Sequence, residues 1–235
     1  RFDTARGLLH AVKDVSFNLE PGESLGIVGE SGSGKTVMSR AAMGLLRGRK
    51  VQRTGSVKIE GEELLTLSNE QIRNFWGLRI AMIFQDPLSA LNPYYTVGKQ
   101  IAEAYLVHHP EASKTDARRV TLEMLKKVGI PNPEQRIDEY PHQFSGGMRQ
   151  RIVIAIALIN NPKVLIADEP TTALDVSLRG QILDLLSALQ AKNGMAVLLI
   201  THDLNLVRRF ADRVVIMENG HIVEQGLVSE VFARP

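Results

Sequence analysis

The clearest pattern along the chain is a set of short apolar runs that do not alternate: Leu25-Gly26-Ile27-Val28, Ile80–Phe84, Val164–Ala167 and Val197–Ile200. Uninterrupted runs of this length, closed by polar turns, predict parallel strands covered on both faces. Residues 11–19 behave differently, because Val15, Phe17 and Leu19 alternate with polar neighbours. That pattern predicts a half-buried strand closed by the turn Glu20-Pro21-Gly22-Glu23. Ser56-Val57-Lys58-Ile59 also alternates and ends at Glu60-Gly61-Glu62. Together these two stretches predict an antiparallel sheet beside the loop that follows Val28. Helical periodicity occupies 37–43, 97–107, 114–128, 148–160, 178–191 and 204–211. The order predicts an α/β fold with a doubly wound, mainly parallel sheet. The block 87–162 shows no strand pattern and reads as a helical insertion, so 1–86 with 163–235 is expected to form the core.

Composition removes several classes. At 235 residues the chain can bury a substantial core. A formal charge of +2 is too mild to argue for nucleic acid. The basic clusters Arg47, Arg49, Lys50, then Arg149, Arg151, then Arg208, Arg209 read as solvated faces. No cysteine is present, which excludes disulfides and thiolate clusters. No apolar run reaches the ~18 residues that would suggest a membrane span.

Gly29-Glu30-Ser31-Gly32-Ser33-Gly34-Lys35-Thr36 lies between the first apolar run and a helix, and fits the phosphate-loop pattern G-x-x-x-x-G-K-[ST]. Glycines let backbone N–H groups turn onto an anion, and the helix start adds the positive end of its dipole. Lys35 is expected to reach the outer phosphates, and the Thr36 hydroxyl to hold Mg²⁺. A dinucleotide fingerprint is excluded, because its third glycine would fall at Val37.

Three further polar groups follow apolar strands. Asp168 and Glu169 end the Val164–Ala167 run, Gln85 follows Ile80–Phe84, and His202 follows Val197–Ile200. In an open α/β sheet the ligand lies at the carboxyl ends of the strands. There Asp168 can help hold Mg²⁺, and Glu169 can orient the attacking water. Gln85 can touch the metal or that water, and His202 can sense the γ-phosphate. Alone, each has a plainer reading as a solvated strand end, a loop residue or a structural histidine. Their joint position favours the site.

Phe144-Ser145-Gly146-Gly147-Met148 precedes a helix of about 13 residues, roughly 20 Å long. Ser145 is suited to cap it, and Gly146 and Gly147 leave backbone N–H groups open to an anion. The plain alternative is only a capped helix. Because that helix leads into the start of the strand that ends at Asp168, Ser145 is expected to bind a phosphate held by another subunit.

These motifs, in this order, resemble those of an ABC-transporter ATPase subunit, a P-loop NTPase. Gly29–Thr36 resembles a Walker A motif, Gln85 a Q-loop, and Phe144–Met148 an LSGGQ signature. Asp168 and Glu169 resemble Walker B, Ala173-Leu174-Asp175 a D-loop, and His202 the switch histidine. The resemblance implies ATP and Mg²⁺ as ligands, with Ser31, Gly32, Ser33, Gly34 and Asp175 among the nucleotide contacts and Phe2 stacked on adenine. The signature departs from the pattern at Phe144 and Met148. The segments Gln85–Pro93 and Tyr140–Arg151 are similar to the dipeptide, oligopeptide and nickel importer branch. That implies peptide as first choice of solute, with nickel and opines behind it. It also implies a homodimer or a paired homologous ATPase, two membrane permeases and, indirectly, a solute-binding protein. The expected location is the cytoplasmic face of the membrane, without nucleic acid. The alternative is a soluble ABC ATPase acting on nucleic acid or ribosomes; such chains usually carry coiled-coil insertions or basic linkers, which this one does not.

Overall fold

The computed structural model describes residues 1–4, 7–48, 50–86, 90–172 and 174–233. Arg49, Pro87, Leu88, Ser89, Ala173, Arg234 and Pro235, which belong to stretches named above, lie outside the described residues. In chain order the strands are β1 (Phe2–Thr4), β2 (Gly7–Leu9), β3 (Ser24–Val28), β4 (Lys58–Ile59), β5 (Glu62–Glu63), β6 (Ile80–Ile83), β7 (Val164–Asp168), β8 (Ala196–Thr201), β9 (Arg213–Glu218) and β10 (His221–Leu227). The helices are α1 (Lys35–Ala42), α2 (Asn69–Arg73), α3 (Val97–Leu106), α4 (Lys114–Lys127), α5 (Pro133–Arg136), α6 (Gly146–Leu158), α7 (Val176–Asn193), α8 (Leu204–Phe210) and α9 (Val228–Val231). The chain divides into two compact units, Arg1–Phe75 with Ala196–Pro235, and Trp76–Met195.

In the first unit β3 runs parallel to β8 on one side and to β9 on the other, while β10 pairs antiparallel with β9. All five residues of β3 are buried, as a non-alternating run with both faces covered requires. The turn before it has Pro21 second and Gly22 third at φ 76°, closed by the Glu23 N–H on the Glu20 carbonyl at 3.0 Å. Ser24 then donates its N–H (2.8 Å) and hydroxyl (2.5 Å) to Asp212, which ties the start of β3 to the chain entering β9. Asn219 and Gly220, both at positive φ (49° and 84°), make the tight β9–β10 turn, and Glu60 and Gly61 do the same between β4 and β5.

The antiparallel sheet expected from 11–19 does not form. That stretch joins no ladder among the described residues, although Val15, Phe17 and Leu19 are half-buried and their neighbours exposed, as the alternation requires. Asp14 sits at φ 49°, a left-handed turn that breaks the strand, and the Lys13 N–H goes to the Gly220 carbonyl at 2.7 Å. Residues 58–59 pair locally with 62–63 instead.

In the second unit β6 and β7 pair in parallel, from Ile80 opposite Val164 to Ile83 opposite Ala167. β7 carries one residue more than the apolar run, so Asp168 is its last member. Helix α6 packs on β6 and on α3. Its Ile152, Ile154, Ala155 and Leu158 are buried, as expected of a helix apolar on most sides. The helix also starts two residues earlier than its periodicity indicates, so both glycines after Ser145 lie in its first turn.

Candidate functional site

The phosphate loop leaves the carboxyl end of β3. Its first residue must be glycine, because a Cβ at Gly29 would overlap the carbonyl oxygen of Met217. Gly34 is constrained twice: its φ is 100°, and a Cβ would stand 2.5 Å from the Ala11 carbonyl. The extended 11–19 segment therefore backs the loop, a role its alternation does not announce.

Helix α1 begins directly after Gly34, with no side-chain cap bond and no acidic residue in its first turn. Such a start exposes donors and the positive dipole end to an incoming anion. Lys35 is buried at 5% exposure, and its Nζ donates to the carbonyls of Gly29 and Glu30, both at 2.8 Å, and to Ser33 Oγ at 3.3 Å. The ammonium is thus folded across the loop that surrounds it. Ser31 and Gly32 are exposed at the loop's outer edge. Val28 is in register with Thr201, so His202 leaves the neighbouring parallel strand at the same end as the loop. Phe2 is half-buried in β1, opposite Leu9 and bridged to Val51.

The second unit assembles the acidic group. Asp168 is 1% exposed at the end of β7. Glu169 follows at φ 48°, a conformation costing a glutamate ~1 kcal/mol or more, which turns its side chain sharply at the strand end. Gln85 Nε2 donates to Glu169 Oε2 at 3.0 Å, and Thr172 Oγ1 to the same oxygen at 2.7 Å. Thr172 was not among the residues picked out by motif. Its signal was a hydroxyl three residues past Glu169, in a turn closed by the Thr172 N–H on the Glu169 carbonyl at 3.3 Å.

Ser145 caps α6, its Oγ accepting the Met148 N–H at a long 3.4 Å. Ser145 and Gly146 are exposed. Gly147 is buried, and a Cβ there would press on Leu178 at 3.2 Å. Asp175 heads α7 without a side-chain cap bond, its carbonyl accepting the N–H groups of Leu178 and Arg179 at 3.0 Å. The serine-glycine helix start and the start of α7 are therefore neighbours. Taken unit by unit, Thr36 of the first carries a hydroxyl, and Gln85 and Asp168 of the second carry amide and carboxylate oxygens, each a hard donor of the kind Mg²⁺ takes. Among the described residues no cluster of three or more His, Cys, Asp or Glu could by itself hold a metal.

A strand, a glycine loop with a buried lysine and an uncapped helix start define a phosphate-loop nucleotide-binding protein of the α/β class. The profile of the ABC transporter family matches residues 12–172. The chain is 51% identical over all its 235 residues to the oligopeptide transport ATP-binding protein OppD of Bacillus subtilis (strain 168), covering 65% of that protein. It is 52% identical over 225 residues to the dipeptide transport ATP-binding protein DppD of Haemophilus influenzae, covering 96% of this chain and 68% of that one. Among solved structures, the ATP-binding cassette MJ0796, dimeric in a post-hydrolysis state bound to ADP and Pi, superposes with a TM-score of 0.84 at 29% identity. It covers 97% of this chain and 94% of that one. The chain belongs to the ABC transporter family, and it spans about two thirds of the length of these curated relatives.

Proposed function

We propose that the protein binds and hydrolyses ATP, and that this work drives peptide import through separate permease subunits. The observation that carries the reading is Lys35, a buried ammonium held by its own loop at a helix start with no side-chain cap. On binding, a triphosphate offers that lysine oxygens in place of the Gly29 and Glu30 carbonyls, and the first-turn N–H groups of α1 close on the anion. Phe2 stacks on the base. Glu169, aimed by Gln85 and Thr172, accepts a proton from the attacking water. His202 donates to the γ-phosphate and registers its departure. Thr36, Asp168 and Gln85 would hold Mg²⁺, which when bound neutralises charge on the transferring phosphoryl group.

In this reading a second cassette presents Ser145, Gly146, Gly147 and Asp175 to the same nucleotide. MJ0796, at 29% identity, is dimeric in its ADP-bound structure. The helices within 87–162 act as the subdomain that moves on closure. Its loop after Leu91, with Tyr94 84% exposed and Tyr95 41% exposed, meets a permease. Among the described residues no helix is long and apolar enough to cross a membrane, so attachment at the cytoplasmic face would be through those subunits. The relatives' names favour peptide over nickel or opine, and transport over action on nucleic acid.

The test is Glu169→Gln in the assembled transporter. ATP should still bind, phosphate release should fall by about a hundredfold or more, and a nucleotide-loaded dimer should accumulate in light scattering. Release at the parental rate would place the base elsewhere.

A further inference from the structure

Arg136, the last residue of α5, touches both flanks of the serine-glycine helix start. Its guanidinium carbon lies 5.5 Å from the centroid of the Phe144 ring, and Nη1 lies 3.5 Å from the sulfur of Met148. Phe144 is buried immediately before Ser145; Met148 is the residue whose N–H the serine hydroxyl caps. One planar cation therefore bridges the two ends of the five-residue segment Phe144–Met148. Glu139 Oε2, 3.8 Å from Nη1, steadies it from the other side.

The base of this clamp is firm. Ile137, the next residue, is 1% exposed, and its carbonyl accepts the Gly98 N–H of α3 at 2.9 Å. A Cβ at Gly98 would overlap the Ile137 side chain, so α3 and this segment are in closest contact. The Glu139 carbonyl accepts the Val97 N–H at 2.9 Å. Arg136 is thus presented from backbone bonded to the first turn of α3, and its side chain is only 28% exposed. Meanwhile the cap it braces is weak, at 3.4 Å with two glycines in the turn, so the turn has little internal stiffness of its own.

We infer that Arg136 is a positioning residue for ATP hydrolysis, holding the Ser145 turn in the shape that receives phosphate. This rests on the helix-start reading proposed above. The relevant chemistry is not the charge alone. A lysine keeps the pairing with Glu139 but lacks the flat face that lies on Phe144 and reaches Met148 at once.

The experiment compares Arg136→Ala, Arg136→Lys and Ser145→Arg in the assembled transporter, each alone. Arg136→Ala is also placed in a Phe144→Leu, Met148→Gln background. Arg136→Ala should lower kcat roughly tenfold, the effect of losing a desolvated cation–π and sulfur contact, with nucleotide affinity within about twofold of the parent. Hydrogen exchange should quicken at the Met148 and Arg149 amides, which are bonded to the Ser145 hydroxyl and carbonyl, and not in the buried stretch Ile152–Ala155. Arg136→Lys should recover less than half of the loss on a logarithmic scale. In the background lacking the ring and the sulfur, Arg136→Ala should cost about twofold or less. A parental kcat for Arg136→Ala beside an inactive Ser145→Arg overturns the inference and leaves the helix-start reading intact. So does exchange that quickens along the whole of α6, or an undiminished loss in the double-substituted background. If Ser145→Arg turns over normally, the helix-start reading fails, and the inference with it.

Discussion

The two helix starts that the proposed function assigns to phosphate are built in opposite ways. At α1 the capping position is Gly34, which has no side chain, and the nearest charge is a lysine folded over its own loop. At α6 the capping position is Ser145, whose hydroxyl already accepts an N–H, with an arginine lying against its flanks. The first start spends none of its donors on a side-chain cap, so an anion gains the full effect of the helix end and a desolvated ammonium. The second is preformed and polar without a buried cation of its own, and is suited to confirming a nucleotide gripped elsewhere. In the proposed function, affinity is assigned to the first start and closure to the second.

The largest way to break that division is Lys35→Ala. The substitution removes the buried ammonium and leaves the Gly29 and Glu30 carbonyls without it. MgATP affinity should fall by about a hundredfold or more, since charge-assisted bonds to phosphate are worth ~1.5–3 kcal/mol each. Isothermal titration of the parent and the variant measures this directly. Unchanged affinity would mean that α1 is not where the triphosphate is held.

Ser145→Ala is the sharper and smaller probe. Removing a serine cap costs ~1 kcal/mol, and the long 3.4 Å bond places this one towards the lower part of the ~0.5–2 kcal/mol range. On the proposed role of Ser145 as a donor to the transferring phosphate, turnover should fall by about tenfold. Nucleotide affinity in the isolated protein should not move. A fall in affinity as large as that of Lys35→Ala would erase the difference between the two starts.

Much of this contrast could be read from the residues alone. The lysine loop is legible because its glycines, its lysine and the following helix all act within eight positions, and Ser145 is legible as a cap for the same reason of locality. Gln85 and Glu169 are 84 residues apart, yet each ends an apolar run, and parallel pairing brings such ends together. What stayed hidden is of two kinds. Residues 11–19 show the alternation of a strand, but alternation reports burial and not hydrogen bonding, and one left-handed residue at Asp14 removes the ladder. The β9–β10 hairpin went unpredicted although Asn219-Gly220 is a strong turn signal after the apolar Val214–Met217 run. Arg136 is the second kind. Its contacts depend on how residues 137–139, just past α5, bond to the start of α3, and no local spacing encodes that.

The smallest effect comes from a third start, α4, which serves as the calibration. Ser113 caps it much as Ser145 caps α6, accepting the Asp116 N–H at 3.1 Å and also donating to Asp116 Oδ2 at 2.6 Å. That hydroxyl, foremost, holds the Asp116 carboxyl below its ordinary value, with Arg119 adding a lesser push. A lowered carboxylate stabilises the fold above its unfolded-state pKa, and that contribution is lost as pH falls through the lower, folded value. Ser113→Ala should therefore shift the Asp116 titration upward, seen by carboxyl NMR, and flatten the acid limb of stability. It should cost a similar ~1 kcal/mol at neutral pH and leave ATP turnover at the parental rate. The pairing of the two serines is the point of the measurement. If Ser113→Ala slowed turnover as much as Ser145→Ala, then the loss at α6 would report a loosened helix and not a missing phosphate donor. Equal stability costs with unequal turnover costs would tie the difference to what stands in front of Ser145.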